Sequence, residues 1–238
     1  MLFLDCRISI LKPLKNVNDM ARERKQRKAH SAIAIIVDGQ DERWYVTKVK
    51  DHYPCDALKT IKVKPELPER KKVQELFDFA KSKLEKEYTY VLLIIDLDEL
   101  LKDAKEFNKF KELYTKYVAA KNNTLVGRQK TNYGWMEKLL LIVNNPCLEY
   151  WYLLHYSKTT KFFSDFAALC PELRKIPELA QYEKCEKYYN NHPNIYVRLD
   201  KNGGLTNARK NAIPFDLDNC TYTGGSEMNL MFDYFDLL

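Results

Sequence analysis

The stretch LLIIDLDEL, residues 92–100, decides how this chain is read. Four apolar residues in a row mark a strand covered on both faces, as in a parallel sheet. That strand runs straight into Asp96, Asp98 and Glu99. In open parallel sheets ligands collect beyond the carboxyl ends of the strands, so acids at such an end point to a site.

Two more runs share this form. Residues 32–37 (AIAIIV) lead into Asp38 and Gly39, with Glu42 one helical turn later. Residues 138–143 (KLLLIV) lead into Asn144, Asn145 and Pro146, with Glu149 in the helix that follows. A weaker strand, nearer an edge, is expected over 58–64 (LKTIKVK). Helices alternate with the strands, at 41–49, 69–88, 105–120 and 148–156. The second carries Val73, Leu76, Phe77, Ala80 and Leu84 on one stripe. Strand, helix, strand, helix predicts an α/β fold with right-handed crossovers. Beyond about residue 157 the pattern weakens to short helices at 162–173, 178–191 and 205–213, with 194–199 a strand or a loop. Residues 121–134 read as a polar loop far from the acids.

Residues i and i+2 of a strand share a face, so Asp96 and Asp98 project together if the extended backbone continues through Leu97. Two crowded carboxylates cannot both ionise cheaply, and a divalent cation removes that cost. Hard oxygen ligands suit Mg²⁺ (or Mn²⁺), which activates water and neutralises phosphate charge. Asp-x-Asp alone is a weak motif, because an acid after a strand is also a common helix cap. The Asp-Gly-x-x-Glu after the first strand strengthens it.

These residues resemble the Toprim domain, the metal-binding fold of topoisomerases, bacterial primases and overcoming-lysogenization-defect nucleases. Residues 144–156 (NNPCLEYWYLLHY) resemble the Asn-Pro-Cys-Phe-Glu-Leu-Trp segment of the RloB-like family more specifically, and ARKNA at 208–212 resembles that family's late helix. The resemblance covers about residues 29–212. It implies a Toprim-like (Rossmannoid) parallel sheet flanked by helices. A basic extension would occupy 1–28, the Toprim-like core 29–156, and a mostly helical part completing the same domain 157–238. It further implies a bacterial or archaeal protein of restriction and phage-defence loci, often encoded beside an RloA-like ATPase. The implied activity is Mg²⁺-dependent cleavage of RNA (tRNA included) or DNA. Carried over by position, Asp38, Glu42, Asp96 and Asp98 are the metal ligands and catalytic acids, and Glu149 matches a family-specific glutamate. Toprim domains carry Glu where this chain has Asp38. The shorter side chain sets its carboxylate back by roughly 1–1.5 Å, and about 1 Å of misplacement can cost around 10²-fold in rate. A binding or regulatory protein that has lost catalysis is therefore the second reading. A phosphoacceptor receiver domain is disfavoured, because it needs an acid pair after the first strand and a lysine after the last.

Of the net charge of +6, +5 falls in residues 1–30, where the block ARERKQRK (21–28) stands. Arg24, Lys25, Arg27 and Lys28 are candidates for a phosphate backbone, or else a solvated arm. Met20 reads as an alternative start. The body is nearly neutral, which argues for a partner that delivers substrate. Six scattered cysteines without metal-ligand spacing suggest a reducing, cytoplasmic setting. No run approaches the ~18 apolar residues of a membrane span. His155 reads as a core or rim histidine, and Asn144 and Asn145 as helix caps.

Overall fold

The computed structural model describes residues 33–60, 63–66, 72–86 and 88–238. Five strands form one sheet: β1 (Ile33–Val37), β2 (Val63–Glu66), β3 (Tyr90–Asp96), β4 (Leu139–Asn145) and β5 (Gly225–Ser226). Their order is β2-β1-β3-β4-β5. The first four are parallel, and β5 adds a short antiparallel edge to β4. The three apolar runs are thus the three central strands, with β2 on the edge.

The helices, in chain order, are α1 (Gln40–His52), α2 (Asp56–Thr60), α3 (Val73–Lys86), α4 (Asp98–Lys102), α5 (Ala104–Lys121), α6 (Gly127–Tyr133), α7 (Glu149–Leu154), α8 (Phe166–Leu173), α9 (Glu186–Asn190), α10 (Ile195–Asp200), α11 (Gly204–Asn211) and α12 (Asn229–Phe235). Side chains of the central strands alternate between two cores, as a pleat of period two requires. Ile33, Ile35, Leu92, Ile94 and Ile142 pack with Tyr45 and Val49 of α1, Trp151 of α7 and Phe232 of α12. Ala34, Ile36, Leu93, Ile95 and Leu141 pack with Phe77 of α3 and Phe110 of α5. Helices therefore cover both faces, which is why these strands carry no polar alternation.

Three local expectations are corrected. Residues 58–60 close α2, so the edge strand starts only at Val63. Residues 194–199 are helical, because the Asn194 side chain accepts from Val197 N and caps α10. The polar segment 121–134 contains α6. From the C-terminal part, β5 pairs antiparallel with β4.

The chain leaves β1 toward β2 on one side and returns to β3 on the other. The order of strands thus reverses between β1 and β3, the kind of position at which open parallel sheets bind ligands beyond their strands' carboxyl ends. Asp38 and Asp96 stand at that reversal.

Candidate metal centre

Three carboxylates meet at the reversal. Oxygens of Asp38, Glu42 and Asp96 all lie within 4.8 Å of one another. Asp38 follows β1, and its Oδ2 accepts from Asp96 N of β3 at 3.2 Å. The short side chain is thereby held against the neighbouring strand. Glu42 lies buried in the first turn of α1 and folds back over Gly39. A Cβ on residue 39 would overlap Glu42 Oε2, so only glycine leaves the carboxylate its place.

Asp96 is held by two donors from β4 and the turn that follows it. Asn144 Nδ2 donates to its Oδ1 at 3.0 Å, and Leu148 N donates to its Oδ2 at 3.1 Å. The Asn144 amide is itself fixed, because Ser226 of β5 donates to Asn144 Oδ1 at 2.6 Å. Neither asparagine caps a helix. Asn144 orients Asp96, and Asn145 Nδ2 ties the carbonyls of Cys220 (2.6 Å) and Thr223 (2.8 Å).

The shared-face reading of Asp96 and Asp98 is also corrected. Leu97 turns into the helical region (φ −91°, ψ −19°), and Asp98 opens α4. The Leu97 and Asp98 N–H groups donate to Pro146 O at 2.8 and 3.0 Å, which stitches this turn to the one after β4. The converging set is Asp38, Glu42 and Asp96, without Asp98. Asp98 Oδ1 accepts from Glu99 N instead.

A model of RloB-like proteins matches residues 33–229, most of the chain and the whole of this site. This chain belongs to the RloB-like protein family. No curated protein and no solved structure matches it.

Glu149 of the RloB-like chain is fully buried beside the three acids and raises the pKa of both Glu42 and Asp96. Its Oε1 accepts from Tyr182 OH at 2.6 Å and faces Lys184 Nζ at 3.0 Å. Among the described residues its Oε2 has no hydrogen-bond partner. Hydroxyls of Tyr152, Tyr189 and Tyr182 form a chain that ends on Glu149. Lys184 also faces Asp41 at 3.2 Å. Tyr182 and Lys184 arrive from the segment before α9, part of the weakly patterned stretch 178–191 expected as a short helix, so no local signal marks them. His155 is core: its Nδ1 lies 2.9 Å from Trp151 O, and burial pushes its pKa down to about 4. Arg24, Lys25, Arg27 and Lys28 lie outside the described residues.

Burial, then Asp38 and Glu149, push the Glu42 carboxyl up to about 8. Burial, then Glu42 and Asp38, also raise Asp96 well above the carboxylate range. Without a cation the cluster thus retains protons that the unfolded chain has lost. The folded state binds the extra proton between the ordinary carboxylate pKa and about 8, so stability falls as pH rises through that window. Melting in EDTA is expected to drop from pH 5 to pH 8 by on the order of 5–10 °C. Mn²⁺ should restore more of it at pH 8 than at pH 6, because bound metal displaces the protons. Glu227, pushed up to about 8 by burial, adds a slope of the same sign that no metal reverses. Equal Mn²⁺ shifts at the two pH values would contradict proton displacement from this cluster.

Proposed function

We propose that this protein is a divalent-metal-dependent nuclease with a Toprim-like centre. The observation that carries the reading is the convergence of Asp38, Glu42 and Asp96 at the strand reversal, with the buried Glu149 close enough to raise the pKa of two of them. The donor set fits a hard cation. All four residues offer carboxylate oxygens, and an orphaned buried oxygen is a costly feature in a metal-free design. The 4.8 Å spread lies within the span of opposite ligands around a cation with bonds of about 2.3–2.6 Å. It is wider by roughly half an ångström than two oxygens at about 2.1 Å from Mg²⁺ require, a gap that side-chain rotation closes. Asp38, Glu42 and Asp96 would hold the ion.

Bound Mg²⁺ or Mn²⁺ supplies an activated water and neutralises charge on a phosphodiester. The protein's own part is positional. Asn144 and Leu148 N fix Asp96, Gly39 makes room for Glu42, and the Asp96 N–H holds Asp38. That last contact favours an active centre over a decayed one, because it keeps the shorter Asp38 in line with the other acids.

Family membership supports action in phage defence beside an RloA-like ATPase that delivers substrate. The basic block with Arg24, Lys25, Arg27 and Lys28 would add contacts to RNA or DNA. The second reading, a regulatory protein without catalysis, rests on Asp38 standing in place of Glu. Among the described residues no helix is long and apolar enough to cross a membrane, and the five described cysteines are all free.

The test is cleavage of labelled tRNA and of plasmid DNA with Mg²⁺, Mn²⁺ or EDTA, with and without the partner ATPase. Metal-dependent cleavage that is lost in Asp96→Asn supports the nuclease and names its substrate. Absence of cleavage in every arm, with Mn²⁺ bound, would favour the regulatory reading.

A further inference from the structure

Among the described residues, Lys184 is a cation that the fold brings against Glu149. Its Nζ lies 3.0 Å from Glu149 Oε1 and 3.2 Å from Asp41 Oδ2, and it stands 4.3 Å from the centre of the Phe166 ring. The Glu149 side chain is fully enclosed, that of Asp41 is 17% exposed and that of Lys184 is 32% exposed. The ammonium therefore bridges a fully enclosed carboxylate and a partly exposed one.

A buried ion pair explains Lys184 only in part. An ammonium carries three donors, and two carboxylates face it. Phe166 fixes the stem and head in place, which limits the entropy lost on binding. A phosphodiester approaching this cluster meets at least five acids, Asp38, Asp41, Glu42, Asp96 and Glu149. One divalent ion does not offset their charge, and a polyanion needs a cation at the mouth.

We infer that Lys184 is a phosphate-contacting residue of this centre, directing its third donor to a non-bridging oxygen of the nucleic acid backbone. The inference rests on the nuclease reading above and extends it to a residue that the sequence does not mark. No bond to Lys184 forms or breaks; it supplies charge and direction.

The test separates phosphate contact from mere support of Glu149. Fluorescence anisotropy would follow labelled single-stranded RNA and DNA oligonucleotides in Ca²⁺, across a series of salt concentrations. Calorimetry with Mn²⁺ would be run on the same proteins. The variants are Lys184→Gln, which keeps a donor for Glu149, and Lys184→Arg, which keeps the charge. Lys184→Gln should bind oligonucleotide about tenfold more weakly, with a salt slope smaller by roughly one, the signature of a lost phosphate contact. Lys184→Arg should recover most of the affinity, and Mn²⁺ affinity should be unchanged or higher in Lys184→Gln. An unchanged affinity and salt slope in Lys184→Gln would overturn the inference, as would a wild type that binds neither oligonucleotide. A wild type that takes up no Mn²⁺ would instead overturn the metal reading, a separate result from the calorimetric arm.

Discussion

Glu42→Gln should abolish divalent-metal binding and, at pH 8, raise the melting temperature of the metal-free protein. Both effects have one cause. Glu42 is buried next to Asp38, Asp96 and Glu149. Its carboxyl resists ionisation up to about 8. A glutamine of the same shape carries no charge, so the cost of ionising the folded state above that pH disappears. The same change removes an anionic oxygen donor from the proposed metal centre. Even a residue that only supports a metal ligand is typically worth about 10–100-fold in affinity, so loss of this ligand should cost at least about 100-fold. Side-by-side melts in EDTA and in Mn²⁺ check both halves. A Glu42→Gln protein that melts lower than wild type in EDTA at pH 8 would show that the glutamate is needed for structure, and the reading of Glu42 as a strained ligand would fail.

Glu149→Ala should show the opposite sign, a large loss of stability under all conditions. Glu149 Oε1 receives Tyr182 OH and faces Lys184, and Tyr182 is the last member of a chain of tyrosine hydroxyls. Removing one partner of a buried pair typically costs about 3–5 kcal/mol. Lys184 keeps Asp41 at 3.2 Å and some contact with water, so the low end, about 3 kcal/mol, applies. That corresponds to roughly 6–12 °C for a chain of this size. Glu149→Gln retains an acceptor for Tyr182 and should lose less than half as much. Adding Lys184→Gln to it removes the charge left behind and should return part of the loss, a coupling that a double-mutant cycle reads directly. Strict additivity of the two changes would mean that the pair contributes nothing.

The sheet, and the meeting of Asp38, Glu42 and Asp96, are legible in the sequence because both rest on strong local signals. Runs such as 92–95 and 139–143 are apolar without interruption, and a run that must be buried on both faces fits best in the middle of a covered sheet. Asp38, Glu42 and Asp96 can be named because strand ends place them, and strand ends are marked by the change from apolar to charged residues. Asp98 escapes such a reading because one residue, Leu97, turns helical, and a one-residue change of backbone region leaves no trace in hydropathy. The turn there is set by Pro146, about fifty positions away in sequence. Asn144 reads locally as a cap, yet its role depends on Ser226, which joins the sheet only through β5. Lys184 and Tyr182 are invisible for the same reason. Their segment is polar and short of periodicity, and its place beside Glu149 comes from tertiary packing.

Whether these carboxylates hold a divalent cation is decided by titration calorimetry of Mn²⁺ at pH 7.5, repeated in buffers of different ionisation enthalpy. Saturable binding should appear with net release of protons, because burial and the neighbouring carboxylates push the Glu42 carboxyl up to about 8 and raise that of Asp96. Both signals should be lost in Glu42→Gln. Binding without proton release, or binding that survives in Glu42→Gln at wild-type strength, would contradict a metal centre built on Asp38, Glu42 and Asp96.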